Sequence, residues 1–146
     1  MAVPHAMDTL DRVPKERYFD PDFFALEAEQ LWPRVWQMAC RLEQIPEPGD
    51  YVEYEILDQS VIVVRGADGE VRALQNACRH RGVRLVQGPG SCSGTFTCPF
   101  HGWCYGPDGQ NTAVPQKRTF GAHQLQYCFR CKQDGRATHH SRARMV

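Results

Sequence analysis

Cys78-Arg79-His80-Arg81-Gly82 and, after a glycine-rich stretch, Cys98-Pro99-Phe100-His101-Gly102-Trp103 decide how this chain is read. The first stretch sets a cysteine one residue from a histidine, the second sets them two residues apart. Two thiolates and two imidazoles suit a [2Fe–2S] cluster in which one iron takes both cysteines and the other both histidines. Each loop then has to offer one soft anionic ligand and one neutral nitrogen ligand a short reach apart. The alternative is a structural zinc site, because two Cys and two His also satisfy tetrahedral Zn²⁺. Spacing argues against it: zinc modules bring Cys-x₂₋₄-Cys on one knuckle and His-x₃₋₅-His on the other, whereas each knuckle here mixes the two.

Outward from the two loops the pattern is that of a mainly β domain. Val52, Tyr54 and Ile56 alternate with Glu53 and Glu55, Ser60 to Arg65 is almost entirely β-branched, and Gly66-Ala67-Asp68-Gly69 turns the chain into Glu70 to Gln75. This predicts a meander of antiparallel strands. Gly82, the Gly88-Pro89-Gly90 break and Gly102 place the cluster loops at hairpin tips, with backbone N–H groups pointing at sulfur, and Pro107-Asp108-Gly109 continues the second hairpin. Upstream, Asp20-Pro21 opens a short helix, with Asp20 as N-cap and Pro21 at the first helical position. Phe24, Ala28 and Leu31 recur on one face, Glu27, Glu29 and Gln30 on the other, and Pro33 stops it. The reading is a packing helix.

The two boxes resemble those of Rieske proteins, and their flanks resemble the alpha subunit of bacterial aromatic-ring-hydroxylating oxygenases. The resemblance runs from about Tyr18 to Gln116 and includes Trp32-Pro33-Arg34-Val35-Trp36, Ile45-Pro46-Glu47-Pro48-Gly49-Asp50-Tyr51, Ser60-Val61-Ile62-Val63-Val64-Arg65 and Asn76-Ala77-Cys78. It implies Cys78 and Cys98 as ligands of the inner iron and His80 and His101 as ligands of the outer, with no catalytic residue in the chain itself. Respiratory Rieske proteins carry an extra cysteine in each loop, forming a disulfide, where this chain has Val83 and Phe100. Trp103 stands where that branch has a serine bonded to a cluster sulfur. Two devices that raise the potential are therefore missing, and the oxygenase branch fits better.

Several expectations follow from that resemblance. The fold is a small Rieske domain of antiparallel sheets over 18–116, behind a flexible 1–17 and a helical lead-in. By family the chain belongs to an NAD(P)H- and O₂-dependent oxidoreductase that hydroxylates aromatic compounds. Its cluster would take electrons from a ferredoxin or flavin reductase and pass them to the oxygenase domain or a neighbouring subunit. That domain's mononuclear Fe(II), held in the intact family by two histidines and a carboxylate, has no ligands in this sequence, so the chain alone carries electrons and does not hydroxylate. Without that domain an apolar face is expected to stand in water. A stand-alone Rieske ferredoxin or [2Fe–2S] binding module is the second reading, although small Rieske ferredoxins usually lack the long lead-in.

Composition bounds the rest. One domain fits 146 residues, and no apolar run approaches the ~18 residues of a membrane span. Met1-Ala2-Val3-Pro4-His5 opens no secretory signal. Seven cysteines read as ligands and reduced thiols rather than a disulfide framework, with Cys40, Cys92 and Cys104 as small buried or semi-buried thiols and not ligands, and a cytoplasmic location is expected. Arg79, Arg81 and Arg84 read as solvated loop charges. Net charge is zero, yet residues 1–127 hold 12 basic against 16 acidic side chains while 128–146 hold 5 against 1. Residues 117–146 lack apolar periodicity and read as a divergent, disordered tail of frameshift or readthrough character. A zinc knuckle of Cys128, Cys131, His139 and His140 has poor geometry, and neither a nucleic-acid nor a membrane partner is expected.

Overall fold

In the computed structural model the described residues are 13–115, together with the backbone of Arg144–Met145. The N-terminal part is helical, as its capping chemistry dictates. Asp20 accepts a hydrogen bond from the Asp22 N–H at 2.9 Å, Pro21 fills the first position, and α1 runs Pro21–Gln30. Ahead of it Lys15–Tyr18 makes one 3-10 turn, inside the segment expected to be flexible from 1 to 17.

The helix does not pack as predicted. None of its residues is buried, and Phe24 is 56% exposed. Trp36 and Met38, in and beside β1 (Trp36–Gln37), are 65% and 81% exposed.

The main sheet has four strands in the order β4-β3-β2-β5: β2 is Asp50–Ile56, β3 Gln59–Arg65, β4 Val71–Gln75 and β5 Gly90–Ser91. Val52 lies opposite Val63, and Ile62 opposite Leu74, in antiparallel register. The β-branched run of β3 is buried from Val61 through Val64, as expected of a central strand covered on both faces. Ile62 and Val64 join the larger core with Leu74, Phe96, Trp103 and Tyr105. Val63 faces the other way, with Val52, onto Ile45. The far face of the sheet is therefore closed by Ile45 and its neighbours Ala39 and Cys40.

A second antiparallel sheet, β6-β7-β8, comprises Phe96–Thr97, Cys104–Tyr105 and Asn111–Ala113. Edge-to-face packing of Tyr51 on Phe96, centroids 5.3 Å apart, ties the two sheets. Gly49 sets the join between β2 and β5. It adopts φ +95°, its carbonyl accepts from the Cys92 N–H, and a Cβ there would sit 2.4 Å from the Cys92 oxygen.

One predicted hairpin is absent. The first cluster loop leaves β4 and enters β5, and those strands occupy opposite edges of the sheet, so the loop crosses its end instead of capping a ladder. Only the second loop, between β6 and β7, is a hairpin tip. Most of the tail lies outside the described residues, the Cys128–His140 knuckle included. Arg144–Met145 departs from the disorder expected of 117–146, since as β9 it pairs in parallel with Trp36–Gln37 and so satisfies the edge of β1.

Candidate metal centre

The two loops are wound alike. In the first, the Cys78 N–H donates to the Val83 carbonyl and the Gly82 N–H to the Cys78 carbonyl; in the second, Cys98 pairs with Trp103 and Gly102 with Cys98 in the same way, at 2.7–3.0 Å. Gly82 and Gly102 occupy the same left-handed position, at φ +73° and +69°. Cysteine thus matches cysteine and glycine matches glycine, while His80 comes two residues after its cysteine and His101 three. The Gly82 and Gly102 amides close the turns, and the His80 backbone N–H points at Cys78 sulfur.

Like side chains meet like. Cys78 and Cys98 are both buried and lie within hydrogen-bonding reach of each other, and the His80 and His101 rings stand 4.7 Å apart at 62°. Two cysteines beside two histidines is the donor set of a mixed-ligand two-iron cluster, two ligands per iron, so the residues fit that group. Trp103 stacks on His80 with planes 5° apart and centroids at 5.1 Å, which braces the first loop against the second where a disulfide is lacking. Phe100 is exposed, with its ring 3.9 Å from that of His101, and His101 itself is exposed while His80 is half-buried.

Burial sets the protonation of these groups. It pushes the Cys78 thiol up, against the lowering effect of the Tyr105 hydroxyl and the His80 amide. It draws His80 below the ordinary imidazole value, with help from His101 and Arg81, which favours the neutral ring that ligation requires. Tyr105 is fully buried and, through desolvation first and the neighbouring Cys78 second, is held above the ordinary phenol value, so it keeps its proton. Its oxygen lies 3.2 Å from Cys78 sulfur and accepts from the Arg79 N–H at 3.0 Å.

Sequence reasoning assigned Tyr105 no role at the site. The signal was present: two residues after Trp103 on a strand, it must share that residue's inward face. Asn76 and Glu53 were passed over as well. The Asn76 side chain accepts from the Leu85 and Val86 N–H groups and donates to Val86 O, Ser60 Oγ and Glu53. Glu53 also accepts from Ser60 Oγ–H and from the Gly88 N–H. Arg84, read as a solvated charge, is ion-paired to Glu53 at 3.2 Å and Glu55 at 2.5 Å. Cys40, Cys92 and Cys104 are half-buried free thiols, as expected.

Two stacked antiparallel layers carrying two matched loops, with cysteines paired to cysteines and histidines to histidines, define a small iron–sulfur domain. The chain belongs to the Rieske [2Fe–2S] domain family: the family model matches residues 35–134. It is 40% identical over 107 residues to the anthranilate 1,2-dioxygenase large subunit of Acinetobacter baylyi, covering 73% of this chain and 23% of that one. Among solved structures it resembles naphthalene 1,2-dioxygenase from Rhodococcus sp. bound to indole, at 35% identity and TM-score 0.69, over 79% of this chain and 26% of the other. It also resembles a quaternary ammonium Rieske monooxygenase described for carnitine oxidation and inter-subunit electron transfer, at 28% identity and TM-score 0.70, over 75% and 30%. The relatives are Rieske oxygenases, hence oxidoreductases, and the chain spans about a quarter of the length of the curated relatives it matches. No helix among the described residues is long and apolar enough to cross a membrane.

Proposed function

We propose that Cys78, Cys98, His80 and His101 ligate a Rieske cluster and that this chain is the electron-carrying part of a ring-hydroxylating oxygenase alpha subunit, with residues 18–116 as its working unit. The observation that carries the assignment is the sorting of side chains, two buried thiols on one side and two imidazole rings 4.7 Å apart on the other. When bound, the cluster supplies a one-electron couple. The chain's own residues prepare for it. Burial keeps water from the cysteine sulfurs, Tyr105 holds a hydroxyl proton toward Cys78, and Trp103 fixes the plane of His80. His101, exposed beside Phe100, offers the edge through which an electron donor or acceptor would approach. The donor would be a ferredoxin or flavin reductase; the acceptor would be a mononuclear-iron oxygenase domain or a neighbouring subunit, in a reducing, cytoplasmic setting. Hydroxylation of an aromatic substrate would belong to the full-length assembly.

Anaerobic reconstitution with iron and sulfide tests this reading. Two irons, two sulfides and the reduced-state EPR of a cluster with mixed nitrogen and sulfur ligands are expected, and His80→Ala or His101→Ala should abolish the signal. Stoichiometric zinc in place of iron, or an unchanged spectrum in those variants, overturns it.

A further inference from the structure

The first ligand loop has no ladder beneath it, and three side chains from the sheet replace one. Asn76, at the end of β4, is buried, and every hydrogen-bonding position of its amide is directed at something. Its oxygen takes the N–H groups of Leu85 (2.9 Å) and Val86 (3.1 Å) on the returning limb of the loop. Its nitrogen gives to Val86 O, Ser60 Oγ and Glu53 Oε1 at 2.9, 3.0 and 2.9 Å. Glu53, on β2 with its side chain only 8% exposed, continues the chain of contacts to the far end of the loop through the Gly88 N–H at 2.8 Å. Ser60, on β3, donates its hydroxyl to Glu53 at 2.7 Å, and its backbone carbonyl accepts the Asn76 N–H. The bracket therefore grips the loop before Cys78 and after Val83, from the end of β4 and from the adjoining strands β3 and β2, without touching any proposed ligand.

We propose that Asn76, Glu53 and Ser60 act together as the positioning device of the first ligand loop, so that retention of the cluster is governed from the buried face of the sheet as well as by the four ligands. The inference rests on the Rieske assignment. A buried polar network of this kind specifies one arrangement only while every member is satisfied. An isosteric asparagine-to-aspartate change keeps the acceptor for the Leu85 and Val86 N–H groups but sets a carboxylate oxygen against both Glu53 and the Val86 carbonyl. Outer contacts that orient ligands typically matter by 10- to 100-fold in metal retention.

The test uses the full chain, loaded with iron and sulfide, and follows release of iron to a chelator alongside reduced-state EPR and apo-protein melting. Asn76→Asp is expected to release iron about tenfold faster and to broaden the EPR signal. The double variant N76D/E53Q is expected to recover part of the loss, because the glutamine amide then donates across the pair in the opposite direction while the Val86 carbonyl stays without its donor. Val63→Ala, on the other face of the sheet, matches for general destabilisation and should leave the EPR line shape unchanged. Wild-type release and line shape in N76D, absence of recovery in the double variant, or the same EPR broadening in V63A would overturn the proposal. If N76D does not fold, Glu53→Gln alone decides it: faster release is expected and unchanged release overturns it. A wild-type chain that takes up no two-iron cluster fails at the earlier step, the Rieske reading itself.

Discussion

The two ligand loops share one winding and rest on opposite kinds of support. The second is the tip of the β6–β7 hairpin, so its cysteine, histidine and tryptophan are placed by adjacent strands a few residues away in sequence. The first joins strands on opposite edges of the sheet, and its position is fixed by contacts from Glu53 to Asn76 and Gly88, 23 and 35 residues apart. A hairpin closes a short loop and needs little else, whereas the crossing loop closes a longer one and has to be stitched by side chains. Damage to the domain should accordingly be of two kinds.

The largest effect is expected where the loops meet. Trp103→Ala removes the stack on His80 and opens a void in the main core. It should cost about 3–5 kcal/mol in denaturant unfolding and speed cluster loss from both loops. An effect confined to the second loop would separate the two supports more sharply than drawn here.

Next in size is Tyr105→Phe. It removes the Tyr105 hydroxyl that accepts from the part-buried Arg79 N–H and that donates to Cys78, at about 1–3 kcal/mol. Because a hydrogen bond to sulfur favours the more negative, reduced state, the midpoint should fall. A differential of ~1 kcal/mol corresponds to ~40 mV for one electron. The starting potential should lie in the lower part of the Rieske range of about −150 to +300 mV, since a disulfide and a serine are absent, although Tyr105 supplies one donor the sequence reading had not counted. A protein-film or dye-mediated titration measures both; a rise in the variant contradicts the donor role.

Acid should act on the first loop through Glu53. Burial works against ionisation of Glu53, but hydrogen bonds from Ser60, Gly88 and Asn76 and the charge of Arg84 outweigh it and hold the carboxyl below the usual range. A group whose folded pKa is depressed contributes stability that is present above its unfolded value, ordinarily 4.5, and is lost as pH falls through the folded one. Melting temperature should thus decline below about pH 4.5 more steeply in wild type than in Glu53→Gln. Parallel curves would show that the bracket does not depend on charge.

The smallest effect lies outside both loops. The two-residue turn between β2 and β3 holds Leu57 at φ +53°, a conformation that costs a branched side chain about 1 kcal/mol and suits Asn or Gly. Leu57→Gly should stabilise the sheet by roughly 0.5–1 kcal/mol in chemical denaturation while leaving the EPR spectrum unchanged.

Local chemistry was enough to propose Cys78, His80, Cys98 and His101 as ligands, to start a helix at Asp20-Pro21 and to draw the strands of the meander. Ligand type, capping and alternation are properties of residues close together in sequence. The helix was legible as a helix yet not as an exposed one, because burial depends on what lies opposite. The same limit concealed Tyr105 against Cys78, 27 residues away, and the bracket of Asn76, Ser60 and Glu53. No periodicity encodes such pairs, and a buried polar side chain finds its partners only when the strands that carry them have been brought side by side. The sequence determined which atoms could hold a cluster; the tertiary structure decided what holds those atoms in place, since desolvation makes each unpaired polar group costly enough to select one arrangement.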